Sequence, residues 1–241
     1  MAAVAAHEIK GVERPAGPVE RVLRGDEEPT PLRWTRAEYY RLGALGILDA
    51  HPHVQLIEGE IVEMSPQLTP HATAIDKVAD VLGRVFGAGY YARQQKPLFV
   101  GEGSEPEPDV VIVPGEPDDY ALEHPRSAPI VVEVSDKTLR YDRTRKASLY
   151  AKAGIPDYWV LDLVHWKLEV RREPVRMPNE PFGFGYDLVT VQEPGDTVTC
   201  LAAPDQPIPV TGLLPRVRPA ATESQPKPKR STRSSPRKGQ L

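Results

Sequence analysis

Residues 108–113 read PDVVIV, and residues 129–135 read PIVVEVS. Both segments are nearly continuous runs of Val and Ile, which is typical of central strands that are buried on both faces of a sheet. Each run carries one acid inside or beside it, Asp109 in the first and Glu133 in the second. A buried charge is costly unless it is paired or bound to a metal. These two segments therefore predict both the middle of a sheet and the place where function is concentrated.

Segments with helical or strand periodicity surround these two runs. Residues 69–86 place apolar side chains at the i, i+3, i+4, i+7 spacing of an amphipathic helix. The other predicted elements are a helix over 35–45, a hairpin over 54–64 that turns at Glu58-Gly59, strands over 90–100, 108–113 and 129–134, a helix over 142–153, and strands over 158–162, 167–172, 186–192 and 197–201. The order helix, three strands, helix, strand, with added β-hairpins, indicates an α+β or α/β fold in which helices flank a mixed β-sheet.

Composition and charge divide the chain into three parts. Its 241 residues are enough for one sizeable domain. We predict a flexible leader over 1–31, a folded domain over 32–215 and a disordered tail over 216–241 that is rich in Pro, Ser and basic residues. The formal net charge of −4 is uneven, because the tail carries +7 and the rest of the chain −11. An acidic body argues against a protein that coats DNA passively, although the tail could still hold a polyanion.

The chain lacks the signals of membrane, secreted, zinc-finger and nucleotide-binding proteins. No run approaches the roughly 18 to 20 apolar residues that a membrane span needs, and the Ala-rich start has no basic region of the kind that opens a signal peptide. Cys200 is the single cysteine, so we expect no internal disulfide, no zinc cluster and a cytoplasmic location. The loop over 101–104 is too short and acidic to cradle phosphate, so we expect no nucleotide cofactor.

The acids of the two apolar runs are candidates for a metal site. Asp109 and Glu133 would lie at the ends of neighbouring strands and form an oxygen-rich pocket. Hard oxygen ligands suit Mg²⁺ or Mn²⁺, which keep several bound waters. The alternative is that each acid pairs with an arginine or caps a loop.

A basic stretch follows Glu133 directly. Between residues 137 and 152 there are six cations and one acid, Asp142. Cations beside an acidic metal pocket suit a phosphodiester substrate, because they hold the neighbouring phosphates and stabilise developing charge. The alternative is an ordinary solvated helix face.

Four segments match a known family when they are taken together and in order. They are EPDVVI at 107–112, VEVS at 132–135, Asp142 with Lys146 and Tyr150, and AGIPDYWVLD at 153–162. In this combination the chain resembles the Uma2 family of endonucleases, within the PD-(D/E)XK nuclease superfamily, over about residues 32–215. The resemblance implies a restriction-endonuclease-like core and a magnesium-dependent or manganese-dependent endodeoxyribonuclease, a hydrolase that cuts DNA phosphodiester bonds with a metal-activated water.

The resemblance also implies the roles of individual residues. Asp109 and Glu133 would be metal ligands, with the carbonyl of Val134 as a third oxygen. The superfamily usually has Lys two residues after the glutamate, where this chain has Ser135. We therefore assign the role of that lysine, which is to orient the attacking water, to Lys146 on the following helix.

The remaining candidates lie around this set. Relatives often carry Glu where this chain has Gln55, and Glu58 is the acid that could compensate, although an acid in a turn is more often solvated. Additional site candidates are therefore Glu58, Gln55, His71 and Ser135. Candidate phosphate contacts are Lys137, Arg140 and Arg143.

Two hypotheses about function follow from these observations. The first is a metal-dependent DNA endonuclease, with DNA as its partner and a homodimer as one state of assembly. The second is a catalytically weak nuclease-fold module that binds nucleic acid or a protein partner. They differ in metal dependence, because chelation should abolish cleavage but leave binding by the basic tail responsive mainly to salt.

Overall fold

The computed structural model describes residues 30–51, 53–64 and 66–218. These residues contain five α-helices and ten strands. The helices are α1 (Arg36–Ala44), α2 (Thr69–Phe86), α3 (Leu139–Tyr141), α4 (Ala147–Lys152) and α5 (Val210–Leu213), with a 3₁₀ turn over Pro117–Tyr120 and a π-helical segment over Asp142–Lys146. The strands are β1 (Val54–Ile57), β2 (Glu60–Glu63), β3 (Tyr90–Gln94), β4 (Val110–Pro114), β5 (Ile130–Ser135), β6 (Asp157–Asp162), β7 (Lys167–Arg176), β8 (Phe184–Gln192), β9 (Thr197–Cys200) and β10 (Ala203–Pro209). The predicted leader and tail fall almost entirely outside these residues. In this part of the chain no helix is both long and apolar enough to cross a membrane.

The central sheet has six strands in the order β3-β4-β5-β6-β7-β8. Strands β3, β4 and β5 pair antiparallel, β5 and β6 pair parallel, and β6, β7 and β8 pair antiparallel. The parallel pair needs a crossover, which is the helical stretch from α3 to α4. The sheet is therefore mixed and flanked by helices, which confirms the predicted fold class.

Helices cover the two faces of this sheet. On one face α2 buries an apolar stripe that includes Ile75, Val78 and Leu82 against side chains of β4, β5 and β6. This helix has Pro70 in its first turn and ends at Gly87, which has φ 63°, as its amphipathic spacing predicts. On the other face α4 packs Tyr150 into a second apolar cluster. The sheet thus lies between two cores.

A separate hairpin, β1 and β2, is joined to the sheet through the loop over 101–105. Backbone hydrogen bonds run from Gly59 N–H to the Gly103 carbonyl at 2.7 Å and from Glu105 N–H to the Leu56 carbonyl at 2.8 Å. Gly59 has φ 78°, and a Cβ there would lie 2.7 Å from the Cβ of Arg33. Only glycine fits this turn without strain.

The helix predicted over 142–153 is partly wrong. The helical stretch begins at Leu139, three residues earlier, and widens into the π-helical segment before α4. A π-turn arises from one extra residue in an α-helix and is common at functional sites. It changes neither composition nor apolar spacing enough to be visible in the sequence.

Other elements also differ from the prediction. The strand expected over 90–100 ends at Gln94, because Gln95 has φ 50° and its N–H bonds to the carbonyl of Pro108 at 3.0 Å. Strand β10 and helix α5 were not predicted. Strand β10 contains three prolines, which are normally confined to edge strands and bulges, so its sequence does not read as a strand.

Candidate active site

A cavity of about 440 Å³ lies where β4 begins and β5 ends. The antiparallel register pairs Val110 with Val132, so the next residues outward, Asp109 and Glu133, come to the same edge of the sheet. The first turn of α2, strand β1 and the π-helical segment supply the other walls. The cavity brings together six of the residues predicted from the sequence: Gln55, His71, Asp109, Glu133, Lys137 and Lys146.

Asp109 is held on both of its carboxylate oxygens. The backbone N–H of Val134 donates to Oδ2 at 2.8 Å, while Oδ1 lies 3.3 Å from Nε2 of His71 and accepts from Nε2 of Gln95 at 3.4 Å. Burial alone would lower the pKa of His71, but its hydrogen bond to Asp109 and the charges of Asp109 and Asp136 raise the pKa above its ordinary value. His71 is therefore a buried partner that orients Asp109.

Glu133 and Lys146 form a buried ion pair. Glu133 is 2% exposed and Lys146 is 1% exposed. The Lys146 Nζ donates to Glu133 Oε1 at 2.8 Å, and the Tyr150 hydroxyl donates to the same oxygen at 2.7 Å. Burial alone would lower the pKa of Lys146, but the charges of Glu133, Asp142 and Asp109 outweigh it and raise the pKa. Burial raises the pKa of Glu133, and Asp109 and Asp142 add to the effect, whereas the adjacent Lys146 ammonium favours the carboxylate.

Ser135 lies outside the cavity lining and bonds to a neighbouring acid. Its hydroxyl donates to Asp142 Oδ2 at 2.7 Å, and the Thr138 hydroxyl donates to the same oxygen at 2.6 Å. These bonds fix the start of the π-helical segment, whose last residue is Lys146. The Lys146 ammonium thus reaches Glu133 from the helical stretch that follows β5.

A family model named Uma2, described as "Putative restriction endonuclease", matches residues 36–211. The chain belongs to the Uma2 family. A crystal structure of a "putative nuclease" from Anabaena variabilis has the same fold, with a TM-score of 0.54 and 18% sequence identity. The match covers 75% of this chain and 97% of that one. No curated protein matches. The predicted family is confirmed, and the family together with the shared fold supports a nuclease.

Three residues predicted for the Uma2 site lie elsewhere. Glu58 accepts from Lys152 Nζ at 2.6 Å and from the Ser104 hydroxyl, outside the residues that line the cavity. Arg143 donates to Asp162 at 2.8 Å and to Glu169, so its guanidinium is already neutralised. Arg140 is exposed and also lies outside the cavity lining. The structure therefore does not bring Glu58, Arg140 or Arg143 to the cavity, and Lys137 is the one of the three candidate phosphate contacts that lines it.

Sequence reasoning missed other residues that line the Uma2 cavity. Glu107, His53 and Asp136 belong to its walls. Glu107 lies two residues before Asp109 on an extended segment, and this alternation was the available signal. The contact between Tyr150 and Glu133 was also missed, although Tyr150 is four residues after Lys146 and so lies on the same side of a helix.

The residues of the cavity fit a divalent cation. Within the described residues no group of three or more His, Cys, Asp or Glu side chains is arranged to hold a metal, but Mg²⁺ commonly binds one or two carboxylates and keeps several waters. The N–H and C=O of one strand residue point to the same side, so the Val134 carbonyl lies on the side of Asp109. Gln55, which is 6% exposed, has an Oε1 without a hydrogen-bond partner among the described residues. A buried acceptor without a donor suits a cation.

Proposed function

We propose that this Uma2 protein is a metal-dependent endonuclease that hydrolyses DNA phosphodiester bonds. The observation that supports this most is the meeting of Asp109, Glu133 and Lys146 in one cavity, although they come from a loop, a strand and a helix. The Uma2 match and the nuclease-fold relative point to the same class of reaction. Homodimer formation and a cytoplasmic location stay predictions from the sequence.

Three oxygens of the chain would hold the cation. They are the carboxylates of Asp109 and Glu133 and the carbonyl of Val134, with Gln55 Oε1 as a neutral fourth. Mg²⁺ or Mn²⁺ bound there would polarise the phosphate and lower the pKa of a water. His71 and the Val134 N–H keep Asp109 in place, and Tyr150 keeps Glu133 in place.

Lys146 and Lys137 would act on the substrate. The Lys146 ammonium is buried in the cavity wall, where it can orient a water for in-line attack and balance charge as the phosphorus becomes five-coordinate. Lys137 is exposed at the same cavity and can hold a neighbouring phosphate. No covalent intermediate is required.

A plasmid-nicking assay with Mg²⁺, Mn²⁺ or EDTA tests the proposal. We expect nicked and linear products with either metal and none in EDTA, with Asp109→Asn as an inactive control. Cleavage that persists in EDTA, or in Asp109→Asn, would contradict the metal site. DNA binding without cleavage under every condition would favour the alternative, a catalytically weak binding module.

A further inference from the structure

A second cavity, of about 460 Å³, lies beside the active-site cavity and beneath α1. We call it the α1 cavity. Its walls come from α1, the loop that follows it, β1 and the segment before β4. The lining side chains that matter here are Tyr39, Tyr40, Leu48, Asp49, Val54 and Glu107.

The two cavities share a wall. Glu107 lines both of them. Gln55 lines the active-site cavity and its neighbour Val54 lines the α1 cavity, because successive residues of a strand point to opposite faces. A nucleic acid with its phosphate in the active-site cavity would therefore have an adjacent nucleotide next to the α1 cavity.

The α1 helix is attached in an unusual way. All of α1 is described, and none of its side chains is fully buried: Arg36, Tyr39 and Leu42 are half-buried. Most helices gain their stability by burying an apolar face. The tyrosines of α1 are held by their hydroxyls instead: Tyr39 donates to the Val54 carbonyl at 2.9 Å, and Tyr40 donates to Glu105 at 2.6 Å. Their rings lie 5.8 Å apart at 67° and line the cavity rather than a packed core.

The charges at the α1 cavity disfavour a phosphate. Its acids are Asp49 and Glu107, and its histidine, His51, lies 3.4 Å from the carboxylate of Glu63. Carboxylates repel phosphate but accept hydrogen bonds from exocyclic amino groups, as they do from N4 of cytosine. Aromatic rings provide stacking surfaces for bases. The lining therefore suits a nucleobase.

We propose that the α1 cavity binds an unpaired nucleobase with an exocyclic amino group, from the nucleotide next to the scissile phosphate. A base inside a duplex could reach such a cavity only by leaving its stack. The substrate would then be DNA that is single-stranded or locally unpaired at the cut. This inference rests on the proposed endonuclease function.

The first test compares three fluorescent 12-mers of equal charge in EDTA at pH 8: oligo(dC), oligo(dT) and a chain of abasic deoxyribose phosphates. Fluorescence anisotropy gives the affinity of the full chain for each. We expect the abasic chain to bind roughly fivefold to a hundredfold more weakly than oligo(dC), the range for one stacked base. We expect oligo(dT) to fall between them, because O4 of thymine cannot donate to Glu107 or Asp49.

The second test fills the cavity. Gly43 lines it, and a Cβ added at Gly43 meets no described atom within 4 Å, so Gly43→Trp places an indole there without forcing the backbone. Gly83→Trp is the matched control, because Gly83 is also helical and equally open but lies in α2. We expect Gly43→Trp to bind oligo(dC) no more tightly than it binds the abasic chain. Gly83→Trp should keep the wild-type ratio of the affinities for oligo(dC) and for the abasic chain.

Each outcome separates this inference from the proposed function. Equal affinity of the wild type for oligo(dC) and the abasic chain, or an unchanged ratio in Gly43→Trp, overturns the base site and leaves metal-dependent cleavage standing. Equal affinity for oligo(dC) and oligo(dT) overturns the preference for an amino group. Because binding is read in EDTA, it does not depend on cleavage.

Discussion

Lys146 and Glu133 depend on each other for stability as well as for their proposed roles. Both are buried, and their charged groups are 2.8 Å apart. Removing one partner of a buried pair leaves an uncompensated charge and typically costs about 3–5 kcal/mol. Nearby carboxylates repel one another, so neutralising an acid of this cavity would otherwise be expected to stabilise the protein without metal. For Glu133 the expected change in stability has the opposite sign, because neutralising Glu133 would leave the Lys146 ammonium buried without its partner.

Asp109→Asn and Glu133→Gln should therefore differ in stability although both abolish cleavage. Asparagine can still accept from the Val134 N–H, so Asp109→Asn should lower the free energy of unfolding by about 1 kcal/mol or less. Glu133→Gln should lower it by up to about 3–5 kcal/mol, because the Lys146 ammonium stays buried. Urea unfolding of the metal-free proteins measures both. Equal stability of the two variants would show that Lys146 is neutralised in another way.

Lys146→Met should reduce the cleavage rate by roughly two to four powers of ten, the scale for loss of one proton-transfer or electrostatic group. Lys152→Met is the control, because Lys152 pairs with Glu58 on the surface and is 42% exposed in its side chain. Exposed pairs contribute about 0–1 kcal/mol. Rates under saturating Mg²⁺ distinguish the two. A Lys146→Met protein that cleaves at the wild-type rate would rule out its catalytic role.

At this scale the sequence predicts which residues are costly to bury but not where their partners lie. Asp109 and Glu133 stand out because they interrupt or adjoin apolar runs. Glu58 and Arg143 pair outside the cavity, with an acid or cation that lies 19 to 94 residues away in the sequence. Such pairings depend on tertiary structure.

The helices show which elements a sequence reveals. The bounds of α2 follow from its apolar stripe, whereas the π-helical segment between α3 and α4 has no such mark. This segment nevertheless sets how its two ends are rotated relative to each other about the helix axis. At one end Asp142 accepts hydrogen bonds from Ser135 and Thr138, and at the other end Lys146 donates to Glu133. Removing one of its residues would turn one end relative to the other by about 100°.

Deletion of Thr144 should therefore abolish cleavage while the helical content is preserved. Thr144 is the residue of choice because its hydroxyl bonds only to the nearby Arg140 carbonyl, among the described residues. Thr144→Ala is the control and should cleave normally. Far-UV circular dichroism and the plasmid assay give the two readings. Full activity after the deletion would mean that the π-turn does not position Lys146.

At the scale of the whole molecule, the sequence joins an acidic body to a basic tail, and under the proposed function the tail would strengthen binding to DNA. Residues 219–241 contain six of the eight tail cations, while Arg218 contacts Trp166 and the Val164 carbonyl. Each phosphate neutralised on single-stranded DNA contributes about 0.7 to the salt slope. Truncation after Arg218 should thus weaken binding at low salt and flatten the slope by up to about 4, without moving a preferred cut.

The control for this truncation replaces the same six cations by glutamine at full length. Anisotropy over a salt series should give equal slopes for the two variants. An unchanged slope after truncation would assign the tail to another partner.

The shallow burial of α1 predicts that this helix opens locally more often than the central sheet does. A helix with no fully buried side chain should open locally at a lower free-energy cost than the buried strands β4 to β6. Amide hydrogens of α1 should therefore exchange with deuterium orders of magnitude faster than those of β5. Bound oligo(dC) should slow the exchange of α1 but not that of β5. Mass spectrometry of peptides from Arg36–Ala44 and Ile130–Ser135 reads both rates. Equal protection of the two segments would mean that α1 is part of the rigid core. A helix that opens while the sheet stays closed would let a base enter without disturbing Asp109, Glu133 or Lys146.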